Sequence, residues 1–247
     1  MVKAVLFDLD GTLIDSERKL LVDLNATFAQ MGEIYDAYVY EDWVDVLMEK
    51  KRQRIIKEQQ RDLTKEEEQE IRIQFWAAYE KNVMPWIKAI KQGIVTIYPE
   101  TIEVLETLQN QGYKLLVVSR SAYEPTVQKI NALGLNKYFP RQYVVDVRAP
   151  TKTRGYLESL SQEALEAGFQ VAALAARDVT HLFVVGDRPE DMFAGAALRR
   201  WAAKQSALQN MRVINIFVNR KMKFKSKHAD VEVRDLREAL VSVQNTP

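Results

Sequence analysis

The hydrophobic and polar positions of this chain fall into two patterns. Five short apolar runs, at 3–7, 113–118, 142–147, 181–185 and 212–217, are nearly unbroken by polar residues. Each is rich in Val, Ile, Leu, Phe or Tyr, as expected of a strand buried on both faces of a parallel sheet. Stretches with helical spacing lie between the later runs, at 100–110, 125–133, 153–175 and 190–209. Alternation of this kind predicts an α/β fold with a doubly wound parallel sheet as its core.

Residues 16–93 break the alternation. They contain no convincing strand, and 17–31, 41–61 and 64–86 all read as helices. Thr64-Lys65-Glu66-Glu67 has the spacing of a capping box, in which the threonine hydroxyl and the glutamate satisfy orphan backbone amides. Pro85 is expected to end or kink the third helix. The expected organisation is therefore an α/β catalytic core, 1–15 with 94–247, interrupted by a smaller all-helical cap domain, 16–93. The alternative is a long crossover with no role of its own.

Composition narrows the function. The chain has 247 residues, 47% hydrophobic and 28% charged, ordinary for a soluble globular protein. It has no apolar run of the roughly 18 residues a membrane helix needs, and its first residues lack the layout of a secretory signal. No cysteine is present, which excludes disulfides, thiol catalysis and zinc–thiolate sites and fits a cytoplasmic location. With two histidines, His181 and His228, a histidine-rich metal site or a Ser-His-Asp triad has little to draw on. A net charge of +1 provides no global field for nucleic acid. The one basic run, Arg220, Lys221, Lys223, Lys225 and Lys227 around Phe224, reads best as a solvated loop.

Candidate chemistry begins in Val5-Leu6-Phe7-Asp8-Leu9-Asp10-Gly11-Thr12-Leu13. A strand ends in two aspartates spaced by one residue, where open α/β sheets bind their ligands. Such carboxylates repel unless a cation or a shared proton relieves them. The bland alternative is an Asp-Gly turn. Leu115-Leu116-Val117-Val118-Ser119 ends in a hydroxyl that, with the following amide, can hold a phosphate oxygen or simply cap a helix. Val184-Val185-Gly186-Asp187 closes another buried strand, and Asp187 and Asp191 bracket a turn into a helix, where acids also favour the dipole. Lys152 precedes an expected helix, a place where lysines are usually solvated.

In this order the segments resemble the haloacid dehalogenase-like hydrolase superfamily. The resemblance runs through FDLDGTL, the Tyr98-Pro99 helix entry, the Ser119 strand end, the Gly186-Asp187 turn and the closing His228-Ala229-Asp230 with Leu236 and Leu240. It implies Mg2+-dependent hydrolysis of a small phosphorylated metabolite. Asp8 would be the nucleophile, and Asp10 the general acid and then base. Mg2+ would be bound by Asp8, Asp187 and the backbone carbonyl of Asp10. Ser119, Arg120 and Lys152 would contact the phosphate, and Thr12 and Asp191 would support the site. The resemblance is imperfect at two points. Arg120 stands where many relatives have asparagine, and Lys152 lacks the usual following proline, so Arg148 or Arg154 can share its role. Asp10 argues against a dehalogenase, and the lack of histidine in 16–93 argues against a sugar phosphomutase. A phosphomutase or other phosphotransferase, or a binding protein that kept only the fold, are the alternatives to a phosphatase.

Overall fold

The computed structural model describes residues 2–36, 43–119, 123–146, 162–221 and 225–246. The chain divides into two compact units, Met1–Asp15 with Thr96–Pro247, and Ser16–Val95.

The first unit is built on a six-stranded sheet of β1 (Lys3–Asp8), β4 (Lys114–Ser119), β5 (Val144–Asp146), β6 (His181–Gly186), β7 (Arg212–Val218) and β8 (Val231–Val233). Its order is β5-β4-β1-β6-β7-β8, and every pairing is parallel. Both sides of the sheet are buried. Ala4, Leu6, Leu116, Val118, Leu182 and Val184 join one apolar cluster. The alternating Val5, Phe7, Val117, Phe183 and Val185 are buried as well. Successive strands run from β1 outward through β4 to β5, then return to the other side of β1 at β6. The order thus reverses beside β1, the crevice where ligands of such sheets bind.

Among the described residues, the helices of this unit are α5 (Thr101–Asn110), α6 (Tyr123–Ala132), α7 (Gln162–Ala175), α8 (Pro189–Ala202) and α9 (Leu236–Gln244). Phe169, Ala172 and Ala173 of α7 and Met192, Ala194 and Leu198 of α8 enter the same cluster as the strands. Two sequence expectations are corrected. The helix read as 190–209 stops at Ala202, because the chain turns so that Leu208 re-enters the core ahead of β7. The strand read from 142 starts at Val144, behind a single 3-10 turn at Arg141–Tyr143. A further two-stranded ribbon joins β2 (Ile14–Asp15) to β3 (Thr96–Ile97), so the chain leaves and re-enters this unit side by side.

The second unit contains α1 (Glu17–Gln30), α2 (Trp43–Gln59), α3 (Lys65–Asn82) and α4 (Trp86–Lys91). Leu24, Phe28, Leu47, Phe75 and Tyr79 form its core, with Trp43 and Trp76 packed on the edge. The capping box closes in both directions: Thr64 Oγ1 accepts from Glu67 N at 3.2 Å, and Glu67 accepts from Thr64 N at 2.9 Å. The stretch read as one helix over 64–86 is two. Val83 and Pro85 are extended, because proline lacks an N–H and disfavours helix in the residue before it. The freed Met84 N–H donates to Asp23 Oδ1 at 2.9 Å. Asp23 also pairs with Lys19, both fully buried, and the Lys19 ammonium lies 4.3 Å from the Trp86 ring centre.

One close approach seats α8 on β7. Asn215 is buried and donates through Nδ2 to the Met192 and His228 carbonyls at 3.0 and 2.9 Å. A Cβ at Gly195 would overlap the Asn215 amide. Helix propensity alone would make Gly195→Ala stabilising by about 1 kcal/mol. We expect the overlap to win, with a net loss of ~1–3 kcal/mol in chemical denaturation. In an Asn215→Ala background the same change should become neutral or stabilising. A Gly195→Ala protein as stable as the parent would contradict this packing.

Candidate active site

The sheet register gathers the site. Asp8 pairs with Val118, one residue before Ser119, and Phe7 pairs with Val185, one residue before Gly186. Asp8, Ser119 and the Gly186-Asp187 turn therefore meet at the same end of three adjacent strands.

Asp8, Asp187 and Asp191 form a buried acidic cluster, each placing a carboxylate oxygen within 4.8 Å of the others. Its surroundings have been cleared for it. Gly11, at φ +95, adopts a backbone conformation that favours glycine, and a Cβ there would overlap the Asp187 carboxylate. A Cβ at Gly186 would overlap Asp191. Thr12 Oγ1 lies 3.1 Å from Asp187 Oδ1 and 3.5 Å from Asp8 Oδ2. Its single proton goes to the nearer oxygen. Asp191 Oδ2 accepts from Arg188 N at 3.1 Å, which ties this acid to the first turn of α8. Burial pushes Asp187 up to about 7; the nearby Arg188 opposes the rise, and Asp191 adds to it by like-charge repulsion. Three close carboxylate oxygens, hard ligands in a buried recess with no room for a Cβ, fit a divalent cation.

Asp10 faces a second group of residues. Its Oδ2 accepts from Ser119 Oγ at 3.1 Å and from Lys129 Nζ at 2.5 Å. Its Oδ1 is buried without a hydrogen-bond partner among the described residues. Lys129 is itself fully buried. The sequence reading passed over it, although a signal existed: Thr126, Val127, Lys129 and Ile130 make up the buried face of α6, so a lysine stands on an apolar stripe.

The expected residues are thus distributed as follows. Asp8, Thr12, Asp187 and Asp191 come together, and Asp10 and Ser119 meet beside Lys129. The Asp10 carboxylate lies outside the acidic cluster, where Asp191 stands instead. Arg120, Lys152 and the alternatives Arg148 and Arg154 lie outside the described residues. The clustered cations of the second unit are engaged within that unit: Lys50 with Asp36, Lys51 and Arg54 with Glu33, and Arg52 with Glu49, Asp62 and Glu68.

A doubly wound parallel sheet with an acidic, cation-ready centre at its switch point defines the class, an α/β enzyme of the kind that works on a ligand at its strand ends. Within that class, the chain belongs to the haloacid dehalogenase-like hydrolases, whose family model matches residues 2–199. It is 29% identical over 199 residues to a phosphoglycolate phosphatase of Aquifex aeolicus, covering 78% of this chain and 80% of the relative. Its fold is shared by a predicted phosphatase from Clostridium acetobutylicum, at a TM-score of 0.60, 17% identity and full coverage of both chains. A HAD phosphatase from Thermococcus onnurineus matches at a TM-score of 0.56 and 21% identity, over 98% of each chain. No helix among the described residues is long and apolar enough to cross a membrane.

The raised Asp187 has a consequence for stability in the absence of metal. Below about pH 4 it is neutral in both folded and unfolded chains. From there to about pH 7 only the unfolded chain gains by ionising, so the metal-free fold weakens as pH rises through this window. In chelator at pH 8, Asp187→Asn should melt above the parent, with a gain on the order of a few kcal/mol that fades towards pH 4. Added Mg2+ should stabilise the parent and leave the variant unmoved. A variant less stable than the parent at pH 8 would contradict this account.

Proposed function

We propose that this protein is a Mg2+-dependent phosphate monoesterase that works through an aspartyl-phosphate on Asp8. The observation that carries the reading is the pair of opposed environments at the end of β1: the buried Asp8–Asp187–Asp191 cluster, and the Ser119 hydroxyl with the Lys129 ammonium. Asp8 attacks phosphorus, and the bond to the leaving oxygen breaks. Asp10 gives that oxygen a proton, then takes one from the water that attacks the acyl phosphate, which returns Asp8 and releases phosphate. The covalent step divides one hard displacement into two. Asp8, Asp187 and Asp191 with the Asp10 carbonyl would hold Mg2+, whose positive charge would offset the repulsion between carboxylate and phosphate.

Ser119 holds a phosphoryl oxygen in this scheme. We assign charge compensation to Lys129, which already stands beside Ser119 and Asp10. Residues 16–95 act as the cap that selects the leaving group. The salt bridges of Lys50, Lys51, Arg52 and Arg54 argue against these cations as the ones that receive substrate. Small carboxylated phosphates come first among candidate substrates, given the Aquifex relative.

A panel of phosphate esters that includes phosphoglycolate, assayed with and without Mg2+, tests the reading. The parent should release phosphate only with the metal. Asp8→Asn should abolish release with circular dichroism unchanged. Turnover by Asp8→Asn near the parent level, with deamidation excluded by mass spectrometry, would remove Asp8 as nucleophile.

Lys129 and Lys152 can be separated. Lys129→Met should lower kcat/KM by about 10²–10³-fold, the scale on which a fixed charge at a transition state acts. Lys152→Met should cost less than about 10-fold on the same scale. The reverse ranking would return the role to Lys152.

A further inference from the structure

Arg220 is the first residue of the basic run that sequence alone reads as a solvated loop, yet its side chain is largely buried and two of its three nitrogens donate within the fold, Nε alone being without a hydrogen-bond partner among the described residues. It follows β7 at the same end of the sheet as Asp8. Its guanidinium stacks 3.7 Å from the Tyr98 ring centre, donates to Glu100 Oε1 at 2.5 Å and donates to the Thr12 carbonyl at 3.1 Å. Its side chain is 18% exposed and that of Glu100 only 7%. A planar cation clamped between a ring face, a carboxylate and a carbonyl is a geometry that arginine provides and lysine does not.

What the clamp holds is the loop of the active site. Thr12 is gripped at both ends, its carbonyl accepting from Arg220 and its hydroxyl donating to Asp187 at 3.1 Å, with Asp8 3.5 Å away. The next residue is fixed as well, since the Leu13 carbonyl accepts from Tyr98 N at 3.2 Å and Thr101 Oγ1 at 2.9 Å. Three separate segments, 8–13, 98–101 and 219–220, therefore close on one point behind the acidic cluster. We propose that Arg220 is a positioning residue of the active site. It sets, through the backbone of Thr12, the spacing at which Asp8 and Asp187 face a divalent cation. The proposal rests on the phosphatase reading for its effect on turnover, but not for its effect on metal binding.

The test uses the full chain and two readouts, Mg2+ affinity by calorimetry and steady-state kinetics. Arg220→Lys keeps a charge for Glu100 but cannot also stack on Tyr98 and reach Thr12. We expect Mg2+ to bind about 5–10-fold more weakly and kcat to fall about 10-fold, because small displacements of reacting groups cost rate steeply. KM should stay within about twofold, since the clamp does not touch substrate. Should Arg220→Lys fail to fold, the paired change Arg220→Met with Glu100→Met takes its place and leaves no buried carboxylate uncompensated. The decisive arm is Thr12→Val, which removes the hydroxyl bridge and keeps the carbonyl. In that background Arg220→Lys should weaken Mg2+ by less than about twofold, as expected for residues acting through one another. Unchanged Mg2+ affinity in Arg220→Lys, or full additivity with Thr12→Val, would overturn the proposal. An inactive parent that still binds Mg2+ would overturn the phosphatase reading and leave this test standing.

Discussion

The structure depends on the cost of holding like charges together out of water. Asp8, Asp187 and Asp191 are buried within reach of one another, and the nearby Arg188 and the Thr12 hydroxyl offset only part of the cost at Asp187. Burial first, and then the like charge of Asp191, favour a proton on Asp187, which is why it is pushed up; a cation would relieve both. The local sequence yields to this demand. Gly11 and Gly186 give up side-chain volume where the acids lie, and Thr12 spends its one proton on Asp187. Asp191 shares in the first turn of α8, where the helix dipole favours negative charge.

The opposite side of the site is its electrostatic complement. Lys129 is a fully buried cation paired with Asp10, and the Ser119 hydroxyl reaches the same oxygen. Burying a lysine costs several kcal/mol unless a counter-charge is close. The site therefore presents a place for a cation and a place for an anion a few residues apart, with Asp10 between them. A phosphate ester approached by a carboxylate needs both. This division explains why the Asp10 carboxylate stands apart from the acidic cluster even though it is only two residues from Asp8.

How much could be read in the sequence varied with the length and purity of each signal. Strands β1, β4, β6 and β7 are nearly unbroken apolar runs in a sheet covered on both faces, and their pattern is hard to mistake. β8 has only three residues, Val231–Val233, and no periodicity can reveal so short an edge strand. The break after Asn82 was legible in Pro85, but its place was not, because it depends on Asp23 receiving the Met84 amide from 61 residues away. The Asp8, Asp187 and Asp191 constellation was visible because acids follow buried strands in order. Lys129 and Arg220 were missed for a common reason. Long cationic side chains are normally solvated, and only a tertiary partner, Asp10 or Glu100, reverses that default.

The point of insertion has its own physical logic. Every strand of the six-stranded sheet belongs to 1–15 or 96–247, so the core completes its hydrogen bonds without residues 16–95. The β2–β3 ribbon holds Ile14 against Ile97 and Asp15 against Thr96, so the two crossings are fixed as neighbours whatever lies between them. Once the ends of a loop are pinned, lengthening it costs little more entropy, roughly 0.6 kcal/mol per doubling. A folded helical unit with its own core, around Phe28 and Phe75, can therefore be carried at this position with little strain on the sheet. The pinning also isolates the site. The Tyr98 and Thr101 bonds to Leu13 and the Arg220 bond to Thr12 all act on the core side of the ribbon. Changes within 16–95 thus reach the acids along the chain only through a segment already held by these three bonds. The loop that carries Asp8 is thus held by bonds of the core unit itself, without contribution from the inserted residues.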